Sequence, residues 1–209
     1  MPAAWNRSNE PVDVGVVVVN RNQGLLLERC MRSALAQTFP GRFHEVVVAD
    51  AASTDFSREA IASYGNRVVP VLLEPPATQQ QAIWEGIKRS SGRYVVCLRA
   101  EDFISDYMIL FQAIWLYQNS GYDGVCVDYF LVERDSDVKK ERINALEKPC
   151  PYGTMYRKEV LVREGLYDPA KTKGTGAGIE SLFSGKYRIG HIPIPFYRYQ
   201  KEPVREAVR

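Results

Sequence analysis

Apolar residues along this chain fall into short unbroken runs separated by stretches of helical spacing. "VGVVVV" (14–19) is a β-branched run without polar interruption, the pattern of a strand covered on both faces. It stops at the turn-forming "NRNQG". In "LLLERCMRSALAQ", Leu26, Leu27, Cys30, Met31, Ala34 and Leu35 then recur on one stripe, which predicts a helix ending before Pro40. The alternation repeats. "HEVVVAD" (44–50) reads as a second buried strand, followed by a Ser/Thr-capped short helix in "AASTDFSREAIASYG". "RVVPVLL" (67–73) is a third strand, and Pro70 assigns it an edge or irregular position. "ATQQQAIWEGIKRSSG" is a helix closing near Gly92, "RYVVCLRA" a fourth strand, "SDYMILFQAIWLYQNSG" a strongly apolar helix and "DGVCVDYFLV" a fifth strand.

Strands alternating with helices over 130 residues predict parallel β-α-β units with helices on both sheet faces. Ligands in such sheets bind beyond the carboxyl ends of the strands. Three polar clusters fall there: "NRN" after strand one, "ADAASTD" after strand two and "RAED" after strand four. The later chain differs. Residues 133–149 form a charged segment expected as an exposed hairpin or loop. "YGTMYRKEVLVREGLYDP" suggests a short strand, a helix and a Gly-terminated turn; "KTKGTGAGIESLF" is rich in Gly and Thr; "YRIGHIPIPFYRYQK" is a closing strand or irregular ribbon.

Composition narrows the class of partner. The chain has 209 residues, 45% hydrophobic and 25% charged, an ordinary soluble balance. With 27 basic and 25 acidic residues the formal charge is +2, which argues against a dedicated nucleic-acid binder. The four cysteines are widely spaced with no CxxC pair, and Cys97 and Cys126 lie in apolar runs, as reduced core thiols would. Histidines number two, too few for an ordinary structural zinc site. The N-terminus has no apolar stretch of a secretory signal, and no segment has the length of a membrane span. The expected location is cytoplasmic, extending at most to the membrane periphery through a surface or a partner.

The ordered series "VGVVVVNRN", "LLLERCMRSALAQTFP", "VVVADAASTD", "QQAIWEGIKRSSGRYVVCLRAED", "YGTMYRKEVLVREGLYD" and "IPIPFYRY" resembles the inverting, nucleotide-sugar-dependent GT-A glycosyltransferases of family two over residues 12–200. The resemblance implies an α/β, Rossmann-like GT-A fold: a mostly parallel sheet flanked by helices, with a small C-terminal acceptor part. It divides the chain into a loose segment 1–12, a nucleotide-sugar-binding part 13–132 and an acceptor-side part 133–209. It further implies a nucleoside diphosphate sugar as donor, a glycan or lipid-linked acceptor, and Mn²⁺ or Mg²⁺ as cofactor. Homo-oligomers or a larger assembly are compatible with it.

Residue by residue, Asp102 matches the family acid most closely tied to the metal, and Glu101 the preceding acid near the ribose or diphosphate. Such a cation would stabilise charge developing on the departing nucleotide. Arg99 stands where many relatives carry the first Asp of D-x-D-D. The same acidic pair would equally serve as a cap for the helix beginning near Ser105. Asn20 and Asp50 match nucleoside contacts, or else satisfy local turns. Ala51 replaces the acid that pairs with the base in uridine-using relatives. Gln81, with Gln80, lies where a polar helix start faces the diphosphate, and Trp84 reads as core or pocket wall. Glu180 in "GAGIESLF" is the candidate general base, opposite a surface-carboxylate reading, and His191 reads as packed at a strand end. A catalytically silent GT-A-like binding or assembly module is the rival reading. A nucleotidyltransferase ranks lower, because no Gly-rich loop bearing Lys or Arg follows the first strand.

Overall fold

The computed structural model describes residues 12–37, 43–133, 138–150, 152–171 and 185–200. Strand β1 (Val12–Asn20), helix α1 (Gly24–Leu35), β2 (Phe43–Ala51), α2 (Ser57–Ser63), β3 (Val69–Leu73), α3 (Gln79–Arg89) and β4 (Tyr94–Arg99) follow one another. Their strands are parallel in the order β3-β2-β1-β4, in register from Val16↔Val46 to Val16↔Val96. Val14, Val16, Val17 and Val18 are fully buried, as are Val47, Val48, Val95 and Val96. The unbroken apolar runs thus belong to strands covered on both faces. β3 is the sheet edge, where Pro70 is exposed and its missing N–H is no loss.

The rest of the sheet departs from a simple parallel order. β5 (Phe103–Ile104), α4 (Met108–Gln118), β6 (Gly124–Val132), β7 (Lys139–Ile143), β8 (Met155–Arg157), α5 (Lys158–Glu164) and β9 (Ile189–Gln200) complete the described elements. β8 lies between β4 and β6, antiparallel to both, and β9 runs parallel to β6. The charged segment does form a hairpin, since β7 pairs antiparallel with β6. Turns at Asn144–Lys148 follow β7, and β8 keeps the sense of β7, so it too runs against β6. α5 ends as the sequence predicts: Gly165, at φ 63°, takes the left-handed cap and its N–H bonds back to Leu161.

β5 carries the chain from β4 to the last position of the strand order. It follows β4 after a three-residue turn, in which the Asp102 N–H bonds to the Arg99 carbonyl at 3.0 Å, yet it pairs with β9 at the opposite end of the strand order. The end of β4 therefore meets the end of β9.

Two glycines permit close approach of elements. A Cβ at Gly92 would sit 2.3 Å from the backbone nitrogen of Gly15, and one at Gly190 would sit 1.8 Å from the Trp115 ring. α3 begins with a capping box in which the Thr78 hydroxyl accepts from the Gln81 N–H at 3.1 Å and the Gln81 side chain accepts from the Thr78 N–H at 2.8 Å.

Candidate functional site

Polar side chains converge where β1, β2 and β4 end. Asn20 closes β1 and Asp50 lies opposite it on β2; both are fully buried. The Asn20 amide donates to Asp50 Oδ2 at 2.7 Å and to Ser53 Oγ at 3.1 Å. The Ser53 backbone N–H and hydroxyl both donate to Asp50, and Arg58 Nε approaches Asp50 Oδ1 at 3.4 Å. Asn20 Oδ1, also buried, has no hydrogen-bond partner among the described residues. A buried acceptor left without a donor is costly, which singles this position out within the cluster.

The two loops beyond these strands are tied together. Ser53 Oγ accepts from the Asn22 N–H at 2.9 Å, Asn22 Oδ1 from the Thr54 N–H at 2.8 Å, and Asp55 from the Gly24 N–H at 3.0 Å. Burial works against the Asp55 charge, but the N–H groups of Gly24 and Ser57 hold its carboxyl below the usual range. Asn22 and Ala52 both have positive φ, 54° and 56°. Asn tolerates that region; Ala52 is held there by the surrounding bonds. Ala51 is fully buried in β2 and offers no side-chain acceptor.

At the end of β4 the structure differs from the sequence expectation. Asp102, expected to face an ion, is fully buried. Arg99 grips it bidentately, Nε to Oδ2 at 2.8 Å and Nη2 to Oδ1 at 2.9 Å. The Tyr197 hydroxyl also donates to Oδ2, and the Gln200 N–H donates to Oδ1 at 2.7 Å. Arg99 Nη2 donates onward to the Gln200 carbonyl at 2.7 Å, Nη1 lies 3.3 Å from Glu101, and the guanidinium stands 4.0 Å above the Tyr199 ring. Burial disfavours the Arg99 charge, but the hydrogen bonds and field of Asp102 raise its pKa on balance. Beside them Arg29 donates to the Glu101 carbonyl at 3.1 Å and stacks on Phe103.

This donor set does not fit a divalent ion. Both oxygens of Asp102 are engaged by in-chain donors, and the Glu101 carboxylate also lies against the Arg99 guanidinium. Turning Asp102 outward would strand a buried Arg99, a loss of about 3–5 kcal/mol. Among the described residues no three His, Cys, Asp or Glu side chains gather as metal ligands.

The remaining expected residues are placed as follows. Gln81 sits at the start of α3, and its side chain serves the capping box. Trp84 packs partly buried against the core. Glu180 lies outside the described residues. His191, expected as packing, instead bonds Asp128 at 2.7 Å. Asp128 is a hub that the sequence reading missed: it is nearly fully buried in β6 and also takes Arg142 Nη2 at 2.7 Å and the Ala145 N–H at 3.2 Å. Burial opposes its charge, but Arg142 and His191 hold its pKa down. An acid inside the apolar "VCVDYF" was the available signal.

A separate hollow of about 370 Å³, lined by Gly92, Arg93, Arg157, Lys158, Glu159 and Val162, opens at the opposite edge of the sheet. Two of its cations are turned to the chain: Arg157 bonds the Tyr122, Leu116 and Ser120 carbonyls, and Lys158 the Ser90 and Lys88 carbonyls. The strand-end cluster, not this hollow, has the buried polar chemistry of a ligand site.

Residues 15–180 match the family "Glycosyl transferase family 2". No curated protein matches the chain. Among solved structures, S. aureus TarS superposes with a TM-score of 0.73 at 17% identity, covering 92% of this chain and 37% of that one. Its 1–349 fragment in complex with UDP-GlcNAc gives 0.70 at 18%, covering 92% and 59%. A Pyrobaculum calidifontis mannosyltransferase in complex with GDP-Man and Mn²⁺ gives 0.66 at 23%, covering 98% and 62%. The chain thus spans between about a third and three fifths of the length of these neighbours, and the likeness is one of fold. With four fifths of its residues inside the matched span, the chain belongs to glycosyl transferase family 2 and has the GT-A fold.

Proposed function

We propose that the chain binds a nucleoside diphosphate sugar at the carboxyl ends of β1, β2 and β4 and transfers the sugar, with inversion, to a glycan or lipid-linked acceptor. The carrying observation is the buried Asn20–Asp50–Ser53 network with its unpartnered Asn20 oxygen, at the edge where such sheets take ligands. Family membership and neighbours that hold UDP-GlcNAc or GDP-Man support the donor class.

In this reading the nucleoside lies against the tied loops of β1 and β2, with Asn20 offering its oxygen and Asp50 holding Asn20 and Ser53 in place. Ala51 leaves recognition of the base to other groups, including backbone ones. Gln81 and Glu101 flank the path toward the diphosphate. Transfer needs a base to take the acceptor hydroxyl's proton on the face opposite the leaving nucleotide, and Glu180 is our candidate. Asp128 and Arg142 give the acceptor side a rigid polar wall.

Titration calorimetry with UDP, GDP, dTDP and CDP tests the reading. One nucleotide should bind, and Asn20→Ala should weaken it about 2–10-fold, the worth of one hydrogen bond. Binding of none would instead leave a silent GT-A-like module, a reading favoured by Ala51 and by the occupied Asp102.

A further inference from the structure

We propose that in this chain the Arg99–Asp102 ion pair takes the place of a metal centre at the strand ends, and donor binding needs no divalent ion. This rests on the nucleotide-sugar reading above and concerns the same edge.

A metal ligand must direct a lone pair into the cleft, whereas both Asp102 oxygens receive donors from inside the chain: Arg99 Nε and Nη2, the Tyr197 hydroxyl and the Gln200 N–H. The guanidinium is held from every side, by Asp102 in its plane, by Gln200 and Glu101 at its edges and by Tyr199 across its face. Charge agrees with geometry. A hard dication binds where carboxylates outnumber local cations, but here Glu101 and Asp102 both pair with Arg99, and Arg29 stands beside them on the Glu101 main-chain carbonyl. An arginine cannot lose its proton in a protein, so Arg99 keeps Asp102 paired across the working pH range. The pair also has a mechanical task, because Tyr197 and Gln200 belong to β9. It clasps the end of β4 to the end of the closing strand, beside the β5–β9 pairing.

Calorimetric melting of the full chain and of Asp102→Asn and Tyr197→Phe tests this, in EDTA, in Mn²⁺ alone, and in each with UDP or GDP. The expected result is the same wild-type Tm in EDTA and Mn²⁺, equal nucleotide-induced shifts in both, and a Tm lower by about 5–15 °C for Asp102→Asn in metal-free buffer. Tyr197→Phe, which keeps the ring, should lower Tm by a smaller amount and reports on the clasp if Asp102→Asn fails to fold. A Tm raised by Mn²⁺, alone or with nucleotide, in the wild type and in Tyr197→Phe would overturn the proposal. So would a Tyr197→Phe chain as stable in EDTA as the wild type. Absence of any nucleotide shift in every condition would count against the donor-binding reading, while the metal arms still judge this one.

Discussion

Arg99 and Asp102 show how one substitution in a motif changes the task of its neighbour. With an acid at 99, three carboxylates would crowd one turn and demand a cation. With arginine there, the pair neutralises itself and can be buried. The energetic consequence is asymmetric. Asp102→Ala leaves a buried guanidinium uncompensated and should cost about 3–5 kcal/mol in urea unfolding, whereas Arg99→Met with Asp102→Leu should recover most of that loss. If the double replacement were as damaging as the single one, the cost would lie in shape and not in charge. The acidic pair itself was legible from "RAED", but its occupation was not. Tyr197 and Gln200 lie 95 and 98 residues away, and no local pattern announces that they arrive at the same carboxylate.

Elements were read with more success where a local rule decides them. The valine runs of β1, β2 and β4 have one physical outcome, burial on both faces, and Gly165 and Pro70 mark a helix end and a sheet edge by their own backbone constraints. β5, and the antiparallel place of β8 (itself expected as a short strand), were hidden for the opposite reason. Strands of three and two residues exist because longer neighbours offer them partners, and the antiparallel sense of β8 depends on the route taken by residues 144–154. Contacts between elements set two expectations. Gly92→Ala would force a methyl into the backbone of Gly15, and Gly190→Ala into the Trp115 ring. Each should cost about 1–3 kcal/mol in chemical denaturation, with Gly92 the worse because backbone cannot rotate away. Thr78→Ala removes the α3 capping box and should cost about 1 kcal/mol, with the nucleotide affinity little changed.

On the scale of the whole molecule, the sheet curls so that polar strand ends from the first half face a closing strand from the second. The same burial that stabilises the sheet makes it sensitive to alkali. Cys97, Cys126 and Cys150 are unpaired by disulfides, and burial pushes each thiol from the usual 9.0 up to about 12. Between those values the unfolded chain has lost its thiol protons while the folded chain keeps them, so stability is full below about pH 9 and falls as pH rises toward 12. The slope approaches about 1.4 kcal/mol per thiol for each pH unit. Urea midpoints measured across that range should fall, and Cys97→Ala with Cys126→Ala should flatten the decline. A flat profile for the parent chain would contradict this.

The central claim is that the ends of β1, β2 and β4 form the nucleotide site. Amide NMR of the full chain during titration with UDP and then GDP tests it most directly. Shifts confined to Asn20–Gly24, Asp50–Asp55 and Arg99–Asp102 are the expected result, in EDTA as in Mn²⁺. Silence at those positions, with shifts gathered instead around Gly92, Arg93 and Lys158 at the opposite edge, would contradict it.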